Sequence, residues 1–333
     1  MRRLTADQYV SGILAHDRLV LSRAITLVES RLPSDRTLAA QVLERVLPHT
    51  GRSVRVGITG VPGVGKSTFI EAFGNHLTGL GNRLAVLAID PSSQRSKGSI
   101  LGDKTRMETL SVHPLAYIRP SPAGESLGGV AHRTRETMLL CEAAGFEVIL
   151  VETVGVGQSE TLVHGMVDFF LLLMLAGAGD ELQGMKRGIM ELADAIAITK
   201  ADGENAAAAD RARVEYSNAL HLFPPTSTGW TPPVLTCSAT ENRGIAHLWQ
   251  VITDHQNLLT ENGHRHRLRQ AQNLDWMRSH LRQQLEERFY QQPGIRQRLE
   301  TAEQRVQAGE LLPVQAVAAL LSDEPFLPSQ TPF

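Results

Sequence analysis

The segment GVPGVGKS at residues 60–67 constrains the fold of this chain more than any other part of the sequence. It matches the pattern G-x-x-x-x-G-K-[ST], whose glycines let the backbone turn until its N–H groups point at phosphate oxygens. Residues 55–59 predict a buried strand that ends at this loop, and residues 66–80 predict a helix with apolar positions at near-helical spacing. The N-terminus of that helix then faces the bound anion. The segment therefore predicts a phosphate-binding loop between a strand and a helix.

The residues of this loop have separate expected roles in holding a nucleoside triphosphate. Lys66 supplies a compact positive charge for the outer phosphates and is a predicted catalytic residue. The hydroxyl of Ser67 is a predicted ligand of Mg²⁺, which bridges those phosphates. The predicted nucleotide contacts in the loop are Gly60, Val61, Pro62, Gly63, Val64, Gly65, Lys66, Ser67 and Thr68.

The composition is that of a globular protein with a sizeable core. Of the 333 residues, 42% are hydrophobic, and the net charge of −2 argues against a nucleic-acid partner or an anionic membrane surface. The most apolar stretch, residues 169–178, is too short to span a bilayer. Cys141 and Cys237 lie far apart in apolar segments, and the N-terminus lacks the apolar run of a signal peptide. We therefore expect a cytoplasmic protein with neither a membrane nor a nucleic-acid partner.

The pattern of apolar residues changes twice along the chain. Residues 1–50 predict a helical N-terminal extension. Residues 51–260 alternate strand and helix, which predicts an α/β fold with a mostly parallel P-loop NTPase sheet, helices on both faces and ligands at the carboxyl ends of the strands. Residues 261–333 predict a polar, helical C-terminal arm whose narrow apolar seam packs either on its own domain or against a second subunit. After residue 59, the predicted strands are 84–89, 115–118, 148–151, 169–175, 195–198 and 234–236.

Two residues after the strand at 148–151 are expected to face the phosphate loop. Glu152 can hold Mg²⁺, usually through a water, and is a predicted metal and catalytic residue. Gly155 can place its backbone N–H on the γ-phosphate and so sense it.

Two further carboxylates are candidates for the same region. Asp90 ends the strand at 84–89, where it either caps a turn or helix or serves Mg²⁺ and water; we favour the metal role and predict catalysis for it. Asp103 lies in the Gly-rich run 98–106 and could orient water there, so it is also a predicted catalytic residue.

The segment TKAD at residues 199–202 resembles the guanine-reading motif Asn-Lys-x-Asp, with Thr199 in place of Asn. The carboxylate of Asp202 can accept from N1–H and the 2-amino group of guanine, whereas adenine would leave it unpaired, which strongly rejects adenine. The stem of Lys200 can lie over the base. Ser238 and Ala239 follow the last strand, where the backbone of GTP-binding proteins commonly contacts the guanine oxygen.

The residue after Gly155 is Val156, whereas Ras-like proteins carry a water-positioning Gln there. Intrinsic hydrolysis should therefore be slow unless another residue or a partner completes the site.

Several stretches together resemble the MeaB/ArgK group of P-loop GTPases, within the class of metallochaperone GTPases. The resemblance covers most of the chain, and residues 98–107 and 151–160 are its most specific parts. The stretches that carry it are residues 60–68, 90–93, 98–107, 151–160 and 180–191.

The resemblance implies a homodimeric GTPase that binds GTP, GDP and Mg²⁺ and serves as chaperone of an adenosylcobalamin-dependent mutase, usually methylmalonyl-CoA mutase. Such chaperones gate cofactor delivery and protect or reactivate the mutase. Asp90, Asp103 and Glu152 match family positions near the metal and the γ-phosphate. Residues 178–186 match a mobile switch that relays the nucleotide state to the mutase. Its matching charged residues are Asp180, Glu181 and Lys186.

Two other functions compete with the chaperone hypothesis. The ArgK name reflects an older assignment as kinase of an arginine/ornithine transport system, but the sequence has no distinct acceptor motif. Nickel insertion, as in maturation GTPases of related fold, requires Cys/His metal sites, and neither Cys141 nor Cys237 has an adjacent histidine.

Overall fold

The computed structural model describes residues 3–89, 107–120, 127–153, 159–177, 187–224 and 228–322. It begins with the helices expected in the first fifty residues. Thr5 closes a capping box at the start of the first helix, Asp17 caps the second through two backbone N–H groups, and Pro33 occupies the first turn of the third. These helices are α1 (Ala6–Leu14), α2 (Arg18–Glu29) and α3 (Pro33–Val46).

Seven strands form one sheet in which every pair of neighbours is parallel. Their bounds are β1 (Val54–Gly60), β2 (Leu84–Ile89), β3 (Ala116–Arg119), β4 (Val148–Thr153), β5 (Phe169–Met174), β6 (Ala195–Ile198) and β7 (Val234–Thr236). The order across the sheet is β3-β2-β4-β1-β5-β6-β7, which places β1 at the centre. The predicted parallel α/β fold is confirmed, and β2, β6 and β7 have the predicted bounds.

Helices cover both faces of this sheet. Along β4, Ile149 and Val151 contribute to one buried cluster with α1, α2 and α3, whereas Val148 and Leu150 contribute to the cluster on the opposite face. Such alternation with both sides buried is typical of a parallel sheet between two helical layers. The other helices are α4 (Lys66–Gly79), α5 (Leu127–Ala143), α6 (Ser159–His164), α7 (Arg187–Glu191), α8 (Ala206–Leu220), α9 (Ile245–Glu261), α10 (His264–Tyr290), α11 (Ile295–Gln307) and α12 (Pro313–Leu321).

Aromatic residues of α4 hold the helix that follows the phosphate loop. Phe69 and Phe73 are at most 1% exposed and stack on each other at 5.4 Å between ring centroids. Burying each ring contributes about 1.5–3 kcal/mol. These two rings therefore anchor the first turns of α4 against the sheet.

A buried ion pair and a hydrogen bond fix the first turns of α10 to the amino-terminal edge of the sheet. Arg269 donates through Nε and Nη2 to the two carboxylate oxygens of Asp168, both at 2.7 Å, and Arg265 donates to the carbonyl oxygen of Ser53 at 2.9 Å. A bidentate guanidinium–carboxylate pair fixes orientation as well as distance. This contact holds the start of α10 in place.

The chain divides into two compact units, residues 1–274 and residues 275–333. Within the second unit, α11 and α12 enclose a small core of Ile295, Ala302, Ala316 and Leu320. The boundaries proposed at residues 50 and 260 stay predictions. Across the described ranges, no helix combines the length and apolarity that crossing a membrane requires.

Candidate nucleotide site

The phosphate loop joins the carboxyl end of β1 to the first turn of α4, at the centre of the sheet. Gly60 passes so close to β5 that an added Cβ would lie 2.5 Å from the carbonyl oxygen of Leu173. Gly65 has a φ of 91°, a conformation that favours glycine, and it immediately precedes Lys66 at the start of the helix. The backbone N–H groups of the first turn of α4 have no earlier helical partner, and they form the anion-binding end of the helix.

The ammonium group of Lys66 lies against the backbone of the phosphate loop. Its Nζ donates to the carbonyl oxygen of Gly60 at 2.8 Å and to that of Val61 at 3.4 Å. Burial lowers the pKa of Lys66, and the negative charges of Glu152 and Glu160 partly oppose that shift. These two bonds place the ammonium group beside the phosphate loop. A phosphate oxygen bound there would compete with the two carbonyls for it.

Glu152 and the loop are held together by the pairing of β1 with β4. Glu152 pairs in register with Ile58 and is 4% exposed. One residue further along each strand, the hydroxyl of Thr153 donates to the hydroxyl of Thr59 at 2.9 Å. The carboxylate therefore lies at the same sheet edge as Ser67.

The described residues contain no group of three or more His, Cys, Asp or Glu side chains able to hold a metal ion by themselves. One hydroxyl and one carboxylate near the loop fit Mg²⁺, which usually binds through one or two protein groups, substrate phosphates and several waters. Ser67 and Glu152 would be those protein groups.

A pocket adjoins the phosphate loop at the carboxyl ends of β6 and β7. Its volume is about 250 Å³, and it opens beside Gly65 and the first turn of α4. The residues around it are Val64, Gly65, Thr68, Phe69, Thr199, Lys200, Asp202, Cys237, Ala239 and Thr240. It brings the TKAD segment, Ala239 and the phosphate loop together, as expected for a purine base next to its phosphates.

Thr199, which stands where the guanine motif usually has Asn, connects the base pocket to the phosphate loop. Its side chain is 5% exposed, and its hydroxyl donates to the carbonyl oxygen of Val64 at 2.8 Å and to that of Met174 at 3.2 Å. A hydroxyl is thus sufficient to link β5, β6 and the loop at this position. Sequence reasoning did not assign this contact to Thr199.

Two hydroxyls orient the Asp202 carboxylate. Oδ2 accepts a hydrogen bond from Ser238 Oγ and another from Thr240 Oγ1, the latter at 3.0 Å. The bond from Ser238, followed by that from Thr240, lowers the pKa of Asp202, so the group is ionised and acceptor-only near neutral pH. Sequence reasoning used only the backbone of Ser238 and missed Thr240, although both hydroxyls follow β7 within a few residues.

Six predicted site residues lie outside the described ranges. They are Asp90, Asp103, Gly155, Asp180, Glu181 and Lys186. Their roles, and the roles assigned to the described site residues, stay predictions.

Comparison with known proteins decides the family. A model of the family described as methylmalonyl Co-A mutase-associated GTPase MeaB matches residues 21–294. The chain belongs to this family. The match begins within α2 and ends just after α10. It confirms the resemblance found in the sequence.

Relatives and a solved structure agree with this placement. A probable GTPase of Mycobacterium tuberculosis is 53% identical over 317 residues, covering 95% of this chain and 94% of that protein. The mitochondrial methylmalonic aciduria type A homolog of Mus musculus is 45% identical, covering 95% of this chain and 78% of that protein. The crystal structure of a LAO/AO transport system kinase superimposes with a TM-score of 0.76 at 38% identity, covering 96% of this chain and 97% of that one. The chain is therefore a P-loop GTPase of the MeaB family, whose ligand is a guanine nucleotide.

Proposed function

We propose that this GTPase is a chaperone for an adenosylcobalamin-dependent mutase of the methylmalonyl-CoA mutase type. The observation that carries the proposal is the match over residues 21–294 to a family described as associated with that mutase. The 45% identity to a mouse protein named for methylmalonic aciduria supports the same partner. In this role, GTP binding and hydrolysis set a conformational state that the mutase reads, and so gate cofactor loading and protection.

We assign the nucleotide chemistry to four described side chains. Lys66 binds the outer phosphates, Ser67 and Glu152 hold Mg²⁺, and Asp202 reads the guanine. Held by Ser67 and Glu152, Mg²⁺ would supply positive charge to offset that of the phosphates. The short path from Lys66 Nζ to the loop carbonyls and the buried position of Glu152 support these assignments.

Communication with the mutase would use the residues predicted to sense the γ-phosphate and the predicted switch. We propose that Asp90, Asp103 and Gly155 respond to the γ-phosphate, and that Asp180, Glu181 and Lys186 pass the change to the mutase. In the sequence, residues 178–186 lie between β5 and α7, and the resemblance to the family supports their role as the switch.

The chaperone proposal is tested by a pull-down of purified mutase with this protein loaded with GDP or with a non-hydrolysable GTP analogue. We expect a complex whose yield depends on the nucleotide. The Asp202→Asn variant provides the matched control, since it should respond to xanthine nucleotides and lose its response to guanine nucleotides. An absent complex, or one of equal yield with every nucleotide and variant, would contradict the proposal.

The protein alone should hydrolyse GTP slowly, because Val156 replaces the water-positioning Gln of Ras-like proteins. Phosphate release by the isolated protein should remain far below about one per second, and the mutase partner should change that rate. Turnover of several per second by the isolated protein would contradict the expected slow site. The control is Lys66→Ala, in which hydrolysis should be lost.

Kinase activity is the second candidate function, because the similar solved structure is that of a protein named as a transport system kinase. The two functions differ in the fate of the γ-phosphate. Labelled phosphate on a protein acceptor would support the kinase, whereas release of all label as free phosphate supports the GTPase chaperone.

We also propose that the protein works in the cytoplasm as a homodimer. Cys141 and Cys237 are both buried free thiols, and burial raises the pKa of Cys237 to about 12. Such unreactive, unpaired thiols suit a reducing compartment.

A further inference from the structure

A second cavity lies at the amino-terminal edge of the sheet, opposite the nucleotide site. Its volume is about 380 Å³, against about 250 Å³ for the base pocket. Asp168 and Asp194, which directly precede β5 and β6, lie at its walls, as do the ends of α6 and α9 and the start of α10. Since the phosphate loop follows the carboxyl end of β1, the two sites are separated by the length of the parallel strands. All of the cavity belongs to the unit that ends at residue 274.

Both carboxylates of the cavity are already paired within the protein. Asp168 accepts two hydrogen bonds from Arg269 at 2.7 Å and one from the backbone N–H of Arg55 at 2.9 Å. Asp194 accepts from the backbone N–H of Phe170 at 2.8 Å through Oδ2, while Oδ1 lies 3.5 Å from His255 Nε2. These acids therefore do not make the cavity a site for cations.

His255 is a buried imidazole, and one of its nitrogens has no hydrogen-bond partner among the described residues. The residue is 3% exposed, and its ring meets the rings of Phe169 and Trp230 edge-on. Nε2 faces Asp194, and Nδ1 has no hydrogen-bond partner among the described residues. A buried polar atom without a partner is unfavourable and calls for a ligand or a water.

Arg267 gives the cavity a positive charge at its exposed side. Its Nη2 donates to the carbonyl oxygen of Asn262 at 3.1 Å and lies 3.0 Å from His264 Nδ1. Across the described ranges, no carboxylate lies within ion-pair distance of this guanidinium, and its Nη1 and Nε donate to nothing there. An arginine of this kind is suited to bidentate recognition of a carboxylate or a phosphate.

Much of the remaining wall is apolar. Its apolar residues are Val167, Leu259, Leu268 and Ala271. Burial lowers the pKa of the neighbouring His164, an effect that the charge of Asp194 partly opposes. His164 is therefore a neutral ring near pH 7. The cavity thus combines a largely apolar surface, the ring of His255 at its wall and the guanidinium of Arg267 at its opening, which is the usual make-up of a small-molecule site.

We propose that this cavity is a binding site for a small organic anion, separate from the nucleotide site. Arg267 would hold the anionic head group, the leucine side chains would contact the hydrocarbon body, and the ring of His255 would lie at the wall beside the ligand. The site depends neither on the mutase nor on GTP hydrolysis.

Calorimetric titration of the full-length, GDP-saturated protein with hexanoate, 4-phenylbutyrate and phenyl phosphate tests the proposal. We expect saturable binding of at least one of these anions with one site per chain. The neutral 4-phenylbutyramide should bind at least about tenfold more weakly than its acid, because it cannot pair with Arg267. Saturation with GDP excludes the base pocket as the site of binding.

Three variants locate the site. Arg267→Gln should weaken binding at least about tenfold, and Ala271→Trp, at an exposed position on the wall, should abolish it by filling the cavity. The control Arg213→Gln removes an arginine from the exposed face of α8 and should leave binding unchanged. Histidine imidazole NMR signals provide an independent readout, in which the anion should shift the signal that disappears in His255→Gln.

The proposal is overturned if none of the three anions binds at low-millimolar concentration. It is also overturned if acid and amide bind equally, or if binding survives in both Arg267→Gln and Ala271→Trp. A shift of histidine signals that excludes His255 would place the anion elsewhere and has the same consequence. GTP binding by the same variants is measured in parallel, and its persistence separates failure of this proposal from damage to the nucleotide site.

Discussion

At the scale of single residues, the base pocket shows how a carboxylate is prepared to read guanine. Ser238 and Thr240 both donate to Oδ2 of Asp202, which occupies the two lone pairs of Oδ2 and leaves those of Oδ1 for the base. The two hydroxyls fix the plane of the carboxylate before a nucleotide arrives. Pre-orientation of this kind reduces the ordering cost of binding.

Replacing Asp202 by Asn should exchange guanine for xanthine. Guanine donates from N1–H and the 2-amino group, whereas xanthine carries an oxygen at C2 that can accept from the new amide. We expect GDP affinity to fall by at least about a hundredfold and the affinity for xanthosine diphosphate to rise. Competition with a fluorescent nucleotide measures both. Asp210→Asn, an exposed change on α8, is the control, and equal GDP affinity of the Asp202→Asn variant and the native protein would refute the reading of the base.

Replacing Thr199 by Val should loosen the connection between the base pocket and the phosphate loop. Valine keeps the shape of threonine but cannot donate to the carbonyl oxygens of Val64 and Met174. The free energy of unfolding should fall by about 1–3 kcal/mol, and GDP should bind more weakly. Thr199→Ser keeps the hydroxyl and should retain most of both properties. Denaturant unfolding and nucleotide titration decide the matter, since equal losses in the two variants would mean that the hydroxyl is unimportant.

At the scale of elements, the pair of Asp168 and Arg269 holds α10 to the sheet and makes stability depend on pH. Burial by itself would raise the pKa of Asp168, but hydrogen bonds and charge from Arg269, with Arg55 and Arg265, outweigh it and hold the pKa below its ordinary value of 3.8. The unfolded chain therefore binds this proton more readily than the folded protein. The stabilisation is present above the ordinary pKa and is lost as the pH falls through it towards the folded value.

The Asp168→Asn variant should lack this dependence of stability on pH. At pH 7, its free energy of unfolding should be lower by about 3–5 kcal/mol, because Arg269 loses its buried partner. Below about pH 5, the native protein should lose stability with acidification more steeply than the variant, by up to one proton. Urea unfolding at a series of pH values measures both quantities. Asp275→Asn breaks an exposed pair on the same helix and should match the native slope.

The strands were predictable because burial on both faces leaves continuous apolar runs, and β2, β6 and β7 begin and end where those runs do. The position of Lys66 followed from a local motif between a strand and a helix. The bonds from Thr199 to Val64 and from Thr240 to Asp202 could not be read in the same way, because they join residues that are far apart in sequence. Hydroxyl-bearing residues have too many structural uses for their type alone to indicate these tertiary contacts.

At the scale of the whole molecule, α10 carries an apolar seam on a polar helix. Leu274, Met277, Leu281 and Leu285 recur at helical spacing, and each is more than half exposed. Phe289, one helical turn after Leu285, instead packs against the small core of α11 and α12. Four large apolar side chains on one exposed stripe are typical of a surface that another helix covers.

A second copy of the chain is the partner that we predict for this seam, since the sequence left a second subunit as one of two alternatives and the family resemblance implies a homodimer. Light scattering should give the mass of a dimer for the native protein and of a monomer for Leu281→Glu, because a carboxylate buried in an apolar interface without a partner is strongly unfavourable. Ser279→Glu adds the same charge to an exposed position on the other side of the helix and should remain dimeric. A monomeric native protein, or a dimer that survives Leu281→Glu, would instead assign the seam to another partner. Because every predicted nucleotide-site residue falls within residues 1–274, the monomeric variant should still bind GDP with native affinity.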